Sequence, residues 1–183
     1  MLKALGLDYL LDHLNSHARR LILGNMINAI GMGLTMTFFL VYLKTIRGFS
    51  GGFFGLVLSF EALFAMAVNP LIGIFIDKYG GRIVLIFGLL IKSIGVFALA
   101  FVNTKLEVII VATILAAGDA ANWPAQTVCL TRMVEEQARQ KVFAFNFMAL
   151  NLGIGIGGII SSLIVTAGEL STYQRLYWLD SAT

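Results

Sequence analysis

Five mainly apolar stretches, each of membrane-crossing length, follow one another with short polar breaks, at about 21–43, 52–76, 83–102, 106–129 and 142–167. Few folds tolerate that pattern. In hydrocarbon every backbone N–H and C=O needs a partner inside the protein, and a helix supplies those partners within one segment. With 58% of its residues hydrophobic and 13% charged, the chain cannot hide its apolar surface in a water-soluble core. The expected fold is an all-α membrane protein with five transmembrane helices plus the start of a sixth. That sixth segment opens near Tyr173, and by Thr183 it has roughly ten residues, too few to cross. A helix stopped in mid-membrane leaves backbone groups unpaired, so the expectation is a piece of a longer chain.

The basic residues give an orientation. Lys3, Arg19, Arg20, Lys78, Arg82, Arg132, Arg139 and Lys141 fall on one side of the spans, and Lys44, Arg47, Lys105 and Arg175 on the other, eight against four. The positive-inside rule then places the amino terminus in the cytoplasm. The net charge of +3 reflects loop topology and gives no groove-like basic face, so no nucleic-acid partner is expected. Cys129 is the one cysteine, which excludes an intrachain disulfide and a cysteine-based metal site. His13 and His17 lack a third ligand and suggest the polar face of a short helix rather than metal. Residues 1–18 read as a cytoplasmic segment with Leu7, Leu10, Leu11 and Leu14 on one stripe and Asp8, Asp12 and Asn15 on another. Such a segment either lies on the membrane surface or forms a partly ordered tail. Its acidic residues argue against a cleaved signal peptide. Residues 19–183 form the transmembrane part.

Ionisable side chains inside spans mark candidate functional positions, because each costs ~2.5–3.5 kcal/mol to insert. Glu61 in span 2, Lys92 in span 3 and Asp119 in span 4 all fall near mid-depth at ~1.5 Å per residue, and they could meet. In one reading Glu61 or Asp119 takes up and releases a proton under the influence of substrate or of Lys92. In the other, Lys92 only neutralises an acid and ties two helices together. Asp119, Asn122 and Gln126 share a helical face beside Trp123, and Pro124 removes a backbone hydrogen bond there. Such a polar stripe should line water, substrate or another helix. Asn25, Asn28, Met32 and Thr35 form a milder stripe on span 1, suited to a cavity wall or to interhelical hydrogen bonds. In span 5, Ala149, Gly153, Gly157 and Ser161 recur every fourth residue, which suits close packing, and the expected partner lies outside this chain.

Residues 73–82, GIFIDKYGGR, crowd Asp77, Lys78 and Arg82 into the break between spans 2 and 3. Gly80-Gly81 would supply positive φ angles for the turn, and Gly73 would admit a neighbouring backbone. This Gly-x-x-x-Asp-Lys-x-Gly-x-Arg pattern resembles the signature loop between helices 2 and 3 of the major facilitator superfamily of secondary transporters. Gly73, Asp77, Gly80 and Arg82 match, Lys78 replaces the usual Arg, and Gly81 stands where a second basic residue is common. Span 5 is similar to the glycine-rich fifth-helix motif of drug-proton antiporters at Gly153 and Gly157, with Gly158 in place of a Pro and Ser161-Ser162 in place of a Gly pair.

The resemblance implies the N-terminal six-helix half of such a transporter in a bacterial-type cell (inner) membrane, with a second six-helix half as partner. It implies proton-coupled efflux of a small organic solute by alternating access, driven by a proton gradient and with no cofactor or metal. The loop would act as a conformational latch, with Asp77 engaging the second half and able to pair with Arg82. No Walker loop is present to bind ATP. Two other readings stay open. A lone half could be a truncated or regulatory product that dimerises through its glycine-rich face. Gly118-Asp119 could also belong to an intramembrane aspartyl protease, for which the other deep acid would be Glu61.

Overall fold

The structure, a computed structural model, describes residues 14–183. Most of the expected amphipathic segment, including His13, lies outside the described residues. Within them six helices of 12 or more residues run as α1 (Ser16–Met36), α2 (Gly51–Tyr79), α3 (Gly81–Leu99), α4 (Lys105–Met133), α5 (Arg139–Ile164) and α6 (Leu170–Ser181). Five stretches are long and apolar enough to cross a membrane; the first is α1 with its continuation to Ile46, and α6 is not one of them. This is an all-α fold with five helices of membrane-crossing length and a twelve-residue sixth helix.

Helix ends follow local chemistry. The Asn15 carboxamide oxygen accepts from the Ala18 N–H at 2.7 Å, while its amide nitrogen donates to the Met133 carbonyl at 2.8 Å, tying the start of α1 to the end of α4. Ser50 caps α2, and Thr104 with Glu107 forms a capping box at the start of α4. Beyond Met36 the first span ends in a π-helical turn over Tyr42–Ile46. There Arg47 donates to the Tyr42 hydroxyl at 2.8 Å and to Asn103 at 2.7 Å. The Tyr42 hydroxyl donates in turn to the Leu99 carbonyl at 2.9 Å. Tyr42, Tyr173 and Tyr177 pack together in the core beneath this network, closing that end of the bundle.

Two seams of small residues set the packing. On the first, α1 meets α5. A Cβ on Gly153 would stand 2.6 Å from the Met26 carbonyl oxygen, one on Gly157 would stand 2.9 Å from the Gly33 Cα and overlap the Ile30 carbonyl oxygen, and Ser161 is fully buried. The stripe on the fifth helix therefore packs against α1 of the same chain. That corrects the expectation of an outside partner and removes the reason for a lone half to dimerise through this face. Close backbone approach is how helices gain contact in lipid, where no hydrophobic force draws them together.

The second seam joins α3 to α4 and went unread in the sequence. Gly81, Gly88 and Gly95 recur every seventh residue and face α4: a Cβ on Gly88 would meet the Ala121 Cβ at 2.8 Å, and one on Gly95 the Leu115 side chain at 2.9 Å. From the other side, a Cβ on Gly118 would stand 2.7 Å from the Lys92 backbone nitrogen. Meanwhile α2 leans on α4, and α6 lies across α1 and α3.

The seam gives a graded test. Gly155 has open space around its Cβ position. Gly157→Ala should lower thermal stability by on the order of 1–3 kcal/mol through overpacking, whereas Gly155→Ala should be neutral or gain up to about 1 kcal/mol from helix propensity. Unfolding midpoints in detergent decide it, and equal effects at the two positions would refute the seam.

Candidate functional site

The glycine seam decides where the buried charge goes. Because Gly118 lets the Lys92 backbone press against α4, the lysine side chain emerges beside the next residue, Asp119. Its Nζ lies 2.9 Å from Asp119 Oδ1. Among the described residues this is the ion pair within salt-bridge distance. The two sides are unequal: the Lys92 side chain is 10% exposed and that of Asp119 55%. The amine is thus enclosed by protein while the carboxylate looks into open space between helices.

Two adjoining cavities share this pair. One, of about 280 Å³, is lined by Asn25, Asn28, Met32, Lys92, Asp119, Asn122, Trp123 and Gln126, so the polar stripes of α1 and α4 face each other across it. The second, of about 250 Å³, adds Glu61 from α2, Thr35 from α1 and Asp180 from α6 to Lys92 and Asp119. The three ionisable residues expected at mid-depth therefore converge, and they line a common space. Helix α4 runs unbroken through Pro124, and the proline leaves the Ala120 carbonyl without its usual backbone donor.

Not every expected cavity residue is free to meet a solute. Asn25 is buried and donates to Asn146 of α5 at 2.8 Å, so it serves as an interhelical tie as well as a cavity wall. Asn28 and Asn122 are half-buried, and Gln126 is buried. Asp180 was missed in the sequence. It is buried, on α6, and its Oδ2 accepts from the Thr35 hydroxyl at 2.6 Å. A hint was present, since it is an acid in the apolar sixth segment that opens near Tyr173.

The turn between α2 and α3 differs from expectation in three details. Gly80 alone takes the positive φ, at 85°, and ends α2. Gly81 is instead the first residue of α3 and a packing position, where a Cβ would come within 3.0 Å of the Ala125 carbonyl oxygen. Gly73 has no neighbour within 4 Å of its Cβ position among the described residues, so none of their backbone approaches it. Asp77 and Arg82 are both exposed and form no salt bridge with each other, while Lys78 lies over the Tyr79 ring at 5.1 Å. The last turn of α2 thus presents Asp77 and Lys78 outward, in line with the open face at Gly73.

A bundle with this loop and this polar seam matches a known family over nearly its whole length: the Major Facilitator Superfamily profile fits residues 21–182. The chain belongs to the Major Facilitator Superfamily. It is 29% identical over 137 residues to the multi-drug resistance efflux pump PmrA homolog of Lactococcus lactis, a match covering 73% of this chain and 33% of that protein. To the quinolone resistance protein NorA of Staphylococcus aureus it is 27% identical over 139 residues, 73% of this chain and 35% of that one. The matched stretch spans about a third of each relative's length. Membership makes this an integral membrane protein of a transporter family and not an enzyme, so the protease reading falls.

The tie between Asn25 and Asn146 is measurable. A double-mutant cycle with Asn25→Val and Asn146→Val should return a coupling of about 0.6 kcal/mol, and no more than ~1.7, as for other interhelical hydrogen bonds in membranes. A coupling of zero in thermal unfolding would show that the two side chains act separately.

Proposed function

We propose that the chain forms the N-terminal half of a secondary transporter that exports a small, amphipathic organic solute in exchange for protons. The observation that carries this reading is the convergence of Glu61, Lys92 and Asp119 on one cavity within a member of the Major Facilitator Superfamily. A carboxylate that looks into a cavity beside a buried amine has its charge balanced only while the amine stays close. A proton can replace the amine as the balancing charge, and this makes Asp119 the exchanging group. Glu61, half-buried across the same space, is a second acceptor. Export is favoured by the relatives, a multi-drug resistance efflux pump homolog and a quinolone resistance protein. The mixed lining of Asn28, Asn122, Met32 and Trp123 suits a solute with polar and apolar parts.

The second half supplies what this half leaves open. Helix α2 is the least enclosed of the spans, and its end carries the open Gly73 face and outward Asp77. Alternating access then rocks one half against the other around the cavity, with Asp77 latching the cytoplasmic side and the amino terminus on that side too. The membrane is a bacterial-type inner membrane, and its proton gradient is the energy source.

In vesicles holding the full-length transporter, Glu61→Gln and Asp119→Asn should each flatten the response of transport to a pH jump. Proton dependence unchanged in both would end the coupling assignment. Asp77→Asn should lower the initial rate by roughly fivefold or more, in keeping with typical coupling between sites, with membrane insertion intact. Wild-type rates from that variant would remove the latch.

A further inference from the structure

One buried acid has no part in the exchange just described. Asp180 is 5% exposed, and helix α6 is held in place around it by several contacts. Its carboxylate takes the Thr35 hydroxyl of α1 at 2.6 Å, and Ser93 of α3 donates to the Ser181 carbonyl at 2.6 Å. On α1, Gly31 is required for this approach: a Cβ there would lie 3.2 Å from the Asp180 Cα and closer still to its carboxylate. A glycine that makes room for an ionisable side chain, inside a membrane protein, sets that group in a defined place.

That place opens on the same space as Lys92. The two residues share the walls of the 250 Å³ cavity and of a smaller polar one of about 40 Å³, lined also by Asn28, Ser93 and Thr183. The ionisable groups that share these cavities with Lys92 are Glu61 from α2, Asp119 from α4 and Asp180 from α6, while α1 contributes the uncharged Asn28 and Thr35. Three carboxylates line one cavity with a single lysine, and only Asp119 lies within ion-pair distance of it in this arrangement.

We propose that Asp180 is a positioning residue, a second counter-carboxylate that receives Lys92 when Asp119 gives it up. The step is a proton transfer and a side-chain swing. Asp119 takes a proton from the water path, an O–H bond forms, and its negative charge is lost. The ammonium, enclosed by protein and left without its partner, moves to the Asp180 carboxylate, which keeps its Thr35 donor throughout. Loss of the proton from Asp119 restores the first pair. Lys92 is long and flexible enough for such an exchange, and neither state leaves its charge unbalanced. This inference rests on Asp119 being the exchanging group, but the sharing of the lysine can be tested without transport.

Two acids that can each serve the same amine protect one another, so losing both should cost more than the sum of the single losses. Thermal unfolding of the purified protein in lipid nanodiscs would compare Asp119→Asn, Asp180→Asn and the double variant, each with and without Lys92→Met. The expected result is an extra fall in midpoint of about 2 °C or more in the double variant, which vanishes in the Lys92→Met background. Additive losses, or an excess that survives without the lysine, would overturn the proposal. Should Asp180→Asn fail to accumulate, Thr35→Val takes its place. Freed from the hydroxyl, Asp180 should hold Lys92 more firmly and shrink the Asp119→Asn loss, and an equal or larger loss would refute it. A pH jump on Asp119→Asn in transport vesicles separates the two levels. Normal proton dependence there would sink the exchange role even if the lysine is shared.

Discussion

The contact on which the rest depends is the ion pair between Lys92 and Asp119, held in the interior of a membrane bundle. A lone charge at that depth is expensive, and a pair is tolerated only when geometry brings the partners to hydrogen-bonding distance. Here the geometry is made by an absence of side chain. Gly118 brings the lysine backbone onto α4, and the next residue in sequence is the acid that neutralises it. Enclosure on the amine side and openness on the carboxylate side make the pair asymmetric. The asymmetry points toward function, because the exposed partner is the one that water or a solute can reach.

Around that pair the bundle is built as two tight helix couples. Gly33, Gly153 and Gly157 bring α1 and α5 together, and Gly88, Gly95 and Gly118 do the same for α3 and α4. Between the couples α1 and α4 touch little, and the gap is where Asn28, Asn122, Gln126 and the charged cluster gather. Tight seams on either side of a loose polar one suit a protein whose cavity must persist while its outer surface meets lipid. At the far end, the tyrosine core and the Arg47 network tie the first span to the loop after α3. At the near end, Asn15 ties it to the end of α4.

Much of this was legible from residue order. The spans follow from hydropathy, because a bilayer leaves helices as the available solution, and the loop at 73–82 pointed to the family later matched over residues 21–182. The meeting of Glu61, Lys92 and Asp119 was legible as a matter of depth, since an ionisable group in lipid must turn inward. Partner choice was not. The stripe at Gly153 and Gly157 announces close packing but carries no mark of which helix fills it, and it turned out to be α1. The spacing of Gly81, Gly88 and Gly95 was visible yet reads as a seam only once α4 is known to cross it. Asp180 escaped because a twelve-residue helix fails any test of span length, although it lines the same cavity as the other acids. Asn25 does line the cavity, but that its amide also ties α1 to α5 could not be read, because Asn146 is distant in sequence.

The central claim is that the polar face of α4 lines a watery path inside the protein and does not face acyl chains. Cysteine accessibility reads this directly. In a Cys129→Ser background, Asn122→Cys on the cavity wall would be compared with Leu90→Cys, at similar depth on the exposed apolar face of α3. A membrane-impermeant thiol reagent should label the position on α4 and leave the one on α3 unreacted. No labelling at position 122, or equal labelling at both, would contradict the account.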